Sequence, residues 1–133
     1  MTAPALDQLA DTLRSFSDAL DDYIKASDDP FAPAMQQLRS LDTQIAMEAA
    51  IVARLDVEQL QAEVAAAVQN LGGVIDRAKD AVAHIQNVKA AMSIVASVVS
   101  AAVAIGTGNP LGAASAILGM AQGIGGAVDA AQG

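Results

Sequence analysis

Between Lys89 and Asp129 the chain runs for 39 residues without a charged side chain. No helix of that composition can keep all its sides in water, so the stretch must be covered by protein or by lipid. It holds two helix-length arms, AAMSIVASVVSAAVAI (90–105) and LGAASAILGMAQGIGGAV (111–128), separated by GTGNP. Gly106, Gly108, Asn109 and Pro110 supply turn chemistry there, which predicts an apolar helical hairpin. Arms of 16 and 18 residues reach about 24 and 27 Å as helices, slightly under the roughly 30 Å of a bilayer's hydrocarbon core. Their reliance on Ala, Ser and Gly makes each a marginal span.

Glycine weakens a helix by about 1 kcal/mol relative to alanine, so its spacing in the second arm calls for a reason. On a helix Ser115, Gly119, Gly123 and Ala127 fall four apart, with Gly112, Ala116 and Gly126 beside them. Ala90, Ser93, Ser97, Ser100 and Ala104 form a matching small strip on the first arm. Small residues at this spacing let two helix backbones approach closely. The arms are therefore expected to pack through their small faces, leaving Ile94, Val98, Leu111, Ile117, Leu118 and Ile124 turned outward toward lipid or a partner.

The remainder also reads as helix. Alanine is the commonest residue, aromatics make up 2%, and β-branched residues do not alternate as in strands, which predicts an all-α class. Leu6, Leu9, Leu13, Phe16, Leu20 and Ile24 mark an amphipathic first helix. ASDDPFAP (26–33) stops it, and a second helix begins near Ala34 with Met35, Leu38, Leu41, Ile45, Ala49, Val52 and Leu55. Asp56 and Gln59 have capping-box spacing, but the reading favours continuation there with a bend. From Val57 a heptad repeat runs through Val64, Leu71, Ala78, Ile85, Met92 and Val99, with Leu60, Ala67, Val74, Ala81, Val88, Val95 and Ala102 at the second core position. One helix over 57–105 would be about 73 Å long and would have to lie along other helices. Gly72-Gly73 is a candidate kink or hinge.

The net charge of −8 lies wholly in residues 1–64, which hold twelve acidic and four basic side chains, whereas 65–133 hold three of each. With seven scattered Lys and Arg, no nucleic-acid partner is expected. There is no cysteine and hence no thiol chemistry or disulfide. His84 stands without HExxH or a second histidine, and Asp21, Asp22, Asp28 and Asp29 lack the EF-hand pattern, so no metal site is expected. GTGNPLG is not preceded by a strand and lacks Gly-Lys-Ser/Thr. No nucleophile, base and acid can be assembled, so no enzyme, cofactor or small-molecule substrate is expected. The start, MTAPALDQLAD, is not a standard secretory signal; the expectation is a cytoplasmic protein or one exported without a leader, membrane-associated if it inserts.

The Ser115-Gly119-Gly123 row resembles a glycine zipper. Acidic amphipathic helices leading into an apolar hairpin resemble the insertion element of α-helical pore-forming toxins and of small glycine-zipper bacteriocin-type proteins, over about residues 90–128. The resemblance implies a hairpin stored in a bundle or oligomer, then released and assembled in a membrane. The chain is accordingly expected to be a single domain, 1–133: acidic helices over 1–56, a coiled-coil stalk over 57–89 and an apolar glycine-zipper hairpin over 90–133. Its expected partners are further copies of itself, a helical partner protein or a lipid bilayer. The alternative is a structural coiled-coil subunit of a larger soluble assembly, such as a secretion-system or phage-like particle, with the hairpin buried against neighbours.

Overall fold

Leu6, Leu9, Leu13, Phe16, Leu20 and Ile24 line one side of α1 (Pro4–Lys25), and all six are buried. In this computed structural model, which describes residues 4–29, 31–55, 61–85, 87–107 and 114–132, four more helices follow: α2 (Pro33–Ala53), α3 (Ala62–His84), α4 (Val88–Gly106) and α5 (Ala114–Gln132). The described residues contain no strand. The fold is an all-α helical bundle.

The break between α1 and α2 has local causes. Ser27 Oγ accepts from the Asp29 amide and Asp29 Oδ1 from the Phe31 amide, side-chain bonds that compete with helix. Pro33 then opens α2 in the first turn, where its missing N–H costs nothing. Met35, Leu38, Ile45, Ala49 and Val52 are buried as their spacing predicts.

The expected continuation through residues 54–59 is corrected. The helix stops at Ala53 with Arg54 as C-cap, and α3 starts after Gln61, whose backbone is extended; Asp56, Val57, Glu58, Gln59 and Leu60 lie outside the described residues. Whether 57–105 forms one helix, which the repeat leaves open, is answered by α3 ending at His84 and α4 beginning at Val88. Ile85 is extended, and Asn87 caps α4 by accepting from the amides of Lys89 and Ala90 at 3.0 and 3.4 Å. Folding back lets both halves of the heptad stripe enter one core: Val64, Ala67, Leu71, Ala78 and Ala81 of α3, and Val95, Val99 and Ala102 of α4, are all buried. Gly72 and Gly73 do not end or interrupt α3.

The helices alternate in direction and close into a ring. α1 lies between α2 and α3, and the α4–α5 hairpin closes the open side with α4 on α2, α5 on α3, and α4 against α5. Neighbour pairs give the senses. Ala34 and Met35 lie near Val88 while Glu48 and Ile51 lie near Gly106, so α2 and α4 run parallel. Arg77 meets Asp129 and His84 lies near Ala131, so α3 and α5 run parallel too. Among the described residues the core holds no polar or charged side chain.

A Cβ built on Gly72 or Gly73 meets nothing within 4 Å; both line a 260 Å³ groove beside α1 with Leu9 and Val68. Gly72→Ala and Gly73→Ala should each stabilise the bundle by about 0.4–1 kcal/mol, read as a higher urea midpoint at unchanged slope. A loss of stability would restore the hinge.

Candidate functional site

The apolar hairpin comprises α4 and α5, which carry charge only at Lys89 and Asp129 and lie side by side over the open edge between α2 and α3. Ile94, Val95, Val98, Ala101, Ala102 and Ile105 of α4 face the core, as do Ile117, Ala121, Ile124 and Val128 of α5. The expectation that branched side chains point outward is thus reversed in the closed chain. Ile94, Val98, Ile117 and Ile124 are each at most 1% exposed, whereas Leu118 remains 38% exposed. The physical reason is that α2 and α3 offer these side chains an apolar surface, and burying each contributes roughly 1.5–3 kcal/mol.

The small residues consequently lie on the outer side. Ser115, Gly119, Gly123 and Gly126 of α5 are exposed and Ala127 is half-buried; on α4 Ser93 and Ser100 are exposed and Ser97 is half-buried. Ser97, Ser100 and Gly123 line a shallow 180 Å³ cleft between the two helices without closing it. The expected small-on-small seam is not formed at the described glycines of α5: a Cβ on Gly119, Gly123, Gly125 or Gly126 meets nothing within 4 Å. Gly106 belongs to the last turn of α4, while Gly108, Asn109, Pro110, Leu111 and Gly112 lie outside the described residues.

Gly106 differs from these glycines. A Cβ there would run into Glu48 Oε2 and lie 3.3 Å from Ile51 Cγ2, so its small size permits a close approach of α2 and α4. The Glu48 side chain thereby reaches the C-terminal turn of α4, which carries no basic residue. This close approach carried no periodic signal in the sequence.

Two hydroxyls on the first helix of the hairpin and at its C-cap bond the local backbone. Ser97 Oγ donates to the Ser93 carbonyl at 3.0 Å and Thr107 Oγ1 to the Ala104 carbonyl at 2.8 Å, so neither hydroxyl needs a water partner. Among the described residues α4 is a helix long and apolar enough to cross a membrane, a test that buried core helices also pass. Its 19 residues correspond to about 28 Å. A larger groove of 610 Å³ runs between α3 and α5, with Val74, Leu118 and Ala121 along it and the Arg77–Asp129 pair, 3.4 Å apart, among its lining. That pair is well exposed and contributes little to stability.

His84 Nδ1 lies 2.9 Å from the Asp80 carbonyl at the end of α3, in the open. Tyr23, whose phenol is pushed up by burial, lines a cleft at the other side of that bundle end with Met35, Ile85 and Val88. Among the described residues no three His, Asp or Glu side chains gather as a metal site would require.

No family model, curated protein or solved structure significantly matches the chain.

Two substitutions on α5 should separate its faces. Gly123→Ala, on the outer side, should stabilise the closed bundle by about 0.4–1 kcal/mol; Ile117→Ala, on the inner side, should cost about 2–5 kcal/mol. Equilibrium unfolding in urea measures both, and equal effects would contradict the assigned faces.

Proposed function

We propose that this is a membrane-active helical protein that stores its α4–α5 hairpin against α2 and α3, releases it, and assembles with further copies through the Ser115-Gly119-Gly123-Ala127 row in a bilayer. The observation carrying this reading is that the four described glycines of α5 outside the core pack against nothing in the closed chain. Together they forgo about 4 kcal/mol of helix propensity relative to alanine, a large share of the 5–15 kcal/mol typical of a folded domain. In a state where backbones approach closely, the same glycines gain van der Waals contact.

Release would exchange one apolar environment for another. The inner face of the hairpin, built from Ile94, Val98, Ile117, Ile124 and their neighbours, would leave α2 and α3 for acyl chains, while the outer small faces become the contact between helices. The core supports such an exchange because its aliphatic contacts are non-directional. Hydrogen bonds tie α1 to α2 through Ser17 and Asp42, α1 to α3 through Ser15 and Lys79, and α3 to α5 through Arg77 and Asp129. α2 and α4 are joined mainly by apolar packing. A pore or a local bilayer lesion is the expected product.

The second reading, a structural subunit of a larger soluble assembly, is favoured by the same burial. The branched faces are already covered within one chain, and an outer flank with charge only at Lys89 and Asp129 suits a protein neighbour equally well.

Gly119→Leu and Gly123→Leu distinguish the two readings, because a Cβ at either position meets nothing within 4 Å in the bundle, yet a leucine there blocks close helix approach. The variants should keep the helical circular-dichroism spectrum and lose dye release from liposomes that the parent permeabilises. Normal release from both would remove the zipper from the mechanism. No release by the parent from anionic or neutral vesicles, with one large species unchanged by detergent in size-exclusion chromatography, would favour the assembly.

A further inference from the structure

The 610 Å³ groove between α3 and α5 lies at the surface, and Leu118 is the one large apolar side chain exposed among the described residues of α5. Gln122, Gly125, Gly126 and Asp129 line the same groove. Spacings of three and four set all five on one side of the helix. Because α3 and α5 run parallel with Arg77 paired to Asp129, Val74, three residues before Arg77, is level with Gly126, three residues before Asp129. A Cβ at Gly126 meets nothing within 4 Å. The groove thus has an apolar knob at Leu118 and, further along, a hole at Gly126 bordered by Val74.

We propose that the closed bundle pairs with a second copy of itself across this groove, the two α5 helices antiparallel about a two-fold axis at Gln122. Knob and hole each lie four residues from Gln122, about 6 Å along the helix. Laying one Gln122 on the other therefore sets Leu118 of each copy over Gly126 of its mate. The same register brings Gly119 against Gly125, where glycine permits close backbone approach. It also brings Asp129 against Ser115 in the first turn of the facing helix. That turn has no acidic residue of its own, and a helix amino end favours a carboxylate. A patch that matches itself in this way is what a two-fold interface requires. Charge selects the same face: the net charge of −8 lies wholly in residues 1–64, so copies repel through α1 and α2, whereas residues 65–133 hold three acidic and three basic side chains,. The pairing rests on the closed bundle alone; that it shields Gly119 until the hairpin is released rests on the membrane-active reading above.

Sedimentation equilibrium of the full chain, without lipid or detergent, tests the pairing. At high micromolar concentration the mass should reach twice 13.4 kDa. Gly126→Leu fills the hole and should raise the dimer dissociation constant at least about tenfold while keeping the helical circular-dichroism spectrum. Gly123→Leu, on the side of α5 toward α4, should leave the dimer intact and so separate this seam from the zipper row. The chain has no cysteine, so single-cysteine variants report the register under mild oxidation. Gln122→Cys should cross-link to its own copy. Ser115→Cys should not, because about 21 Å of helix separates the two positions, but it should cross-link when mixed with Asp129→Cys. A monomer at every concentration, an undiminished Gly126→Leu dimer, or Ser115→Cys cross-linking to itself overturns the inference. A monomeric chain that still releases liposome dye would sink the pairing and keep the membrane reading; a dimer of this register that releases none would do the reverse.

Discussion

The bundle depends on the burial of one hairpin's branched face. Without α4 and α5, the apolar stripes of α2 and α3 would share a partner only in α1, leaving their remaining apolar sides open to water. Ile94, Val98, Ile117 and Ile124 fill that opening, and the absence of charge from Lys89 to Asp129 follows from it in part. A helix pair sunk against two others has little room for ions on its inner faces. That requirement does not extend to the outer faces, where ordinary surface helices carry Lys and Glu. The outer faces here carry serine, alanine and glycine, and this excess over what the closed fold needs gives the functional reading its force.

Much of the architecture was legible from residue spacing. The stripe from Leu6 to Ile24 fixes the buried side of α1, and the Asp-Pro cluster after it marks a real break because its side chains bond the local backbone. The hairpin arms were visible in the loss of charge beyond Lys89. Periodicity also misled, at Ile85 and Val88: the heptad spacing continues across the gap because both α3 and α4 feed the same core, so the repeat does not register that the chain has turned back. Asn87 was the available signal, a residue whose side chain readily caps a helix, set immediately before an apolar run. A repeat specifies which residues share a face; it does not specify that they share a helix.

Ile94, Val98, Ile117 and Ile124 face the core, opposite to the outward direction expected from the small-residue row. Small and branched residues do segregate on α5, with Gly119, Gly123 and Gly126 on one side and Ile117, Ile124 and Val128 on the other. Which side meets protein depends on what else the chain provides, and α2 and α3 provide aliphatic surface that gains more from isoleucine than from glycine. Asp42 was missed because a carboxylate one turn after Arg39 on an amphipathic helix looks solvated. Only the approach of Ser17 from the preceding helix makes it a seam residue.

The senses of the helices rank the seams by electrostatics. Antiparallel neighbours place opposite dipole ends together, while parallel neighbours align like ends. α4 and α5 are antiparallel to each other, yet each lies parallel to the outer helix that holds it, α2 for α4 and α3 for α5. The hairpin is therefore better matched to itself than to its cradle. Glu48 approaches the carboxyl end of α4 near Gly106. Helix dipoles therefore favour the seam between α4 and α5 and oppose the two seams that hold the hairpin in its cradle.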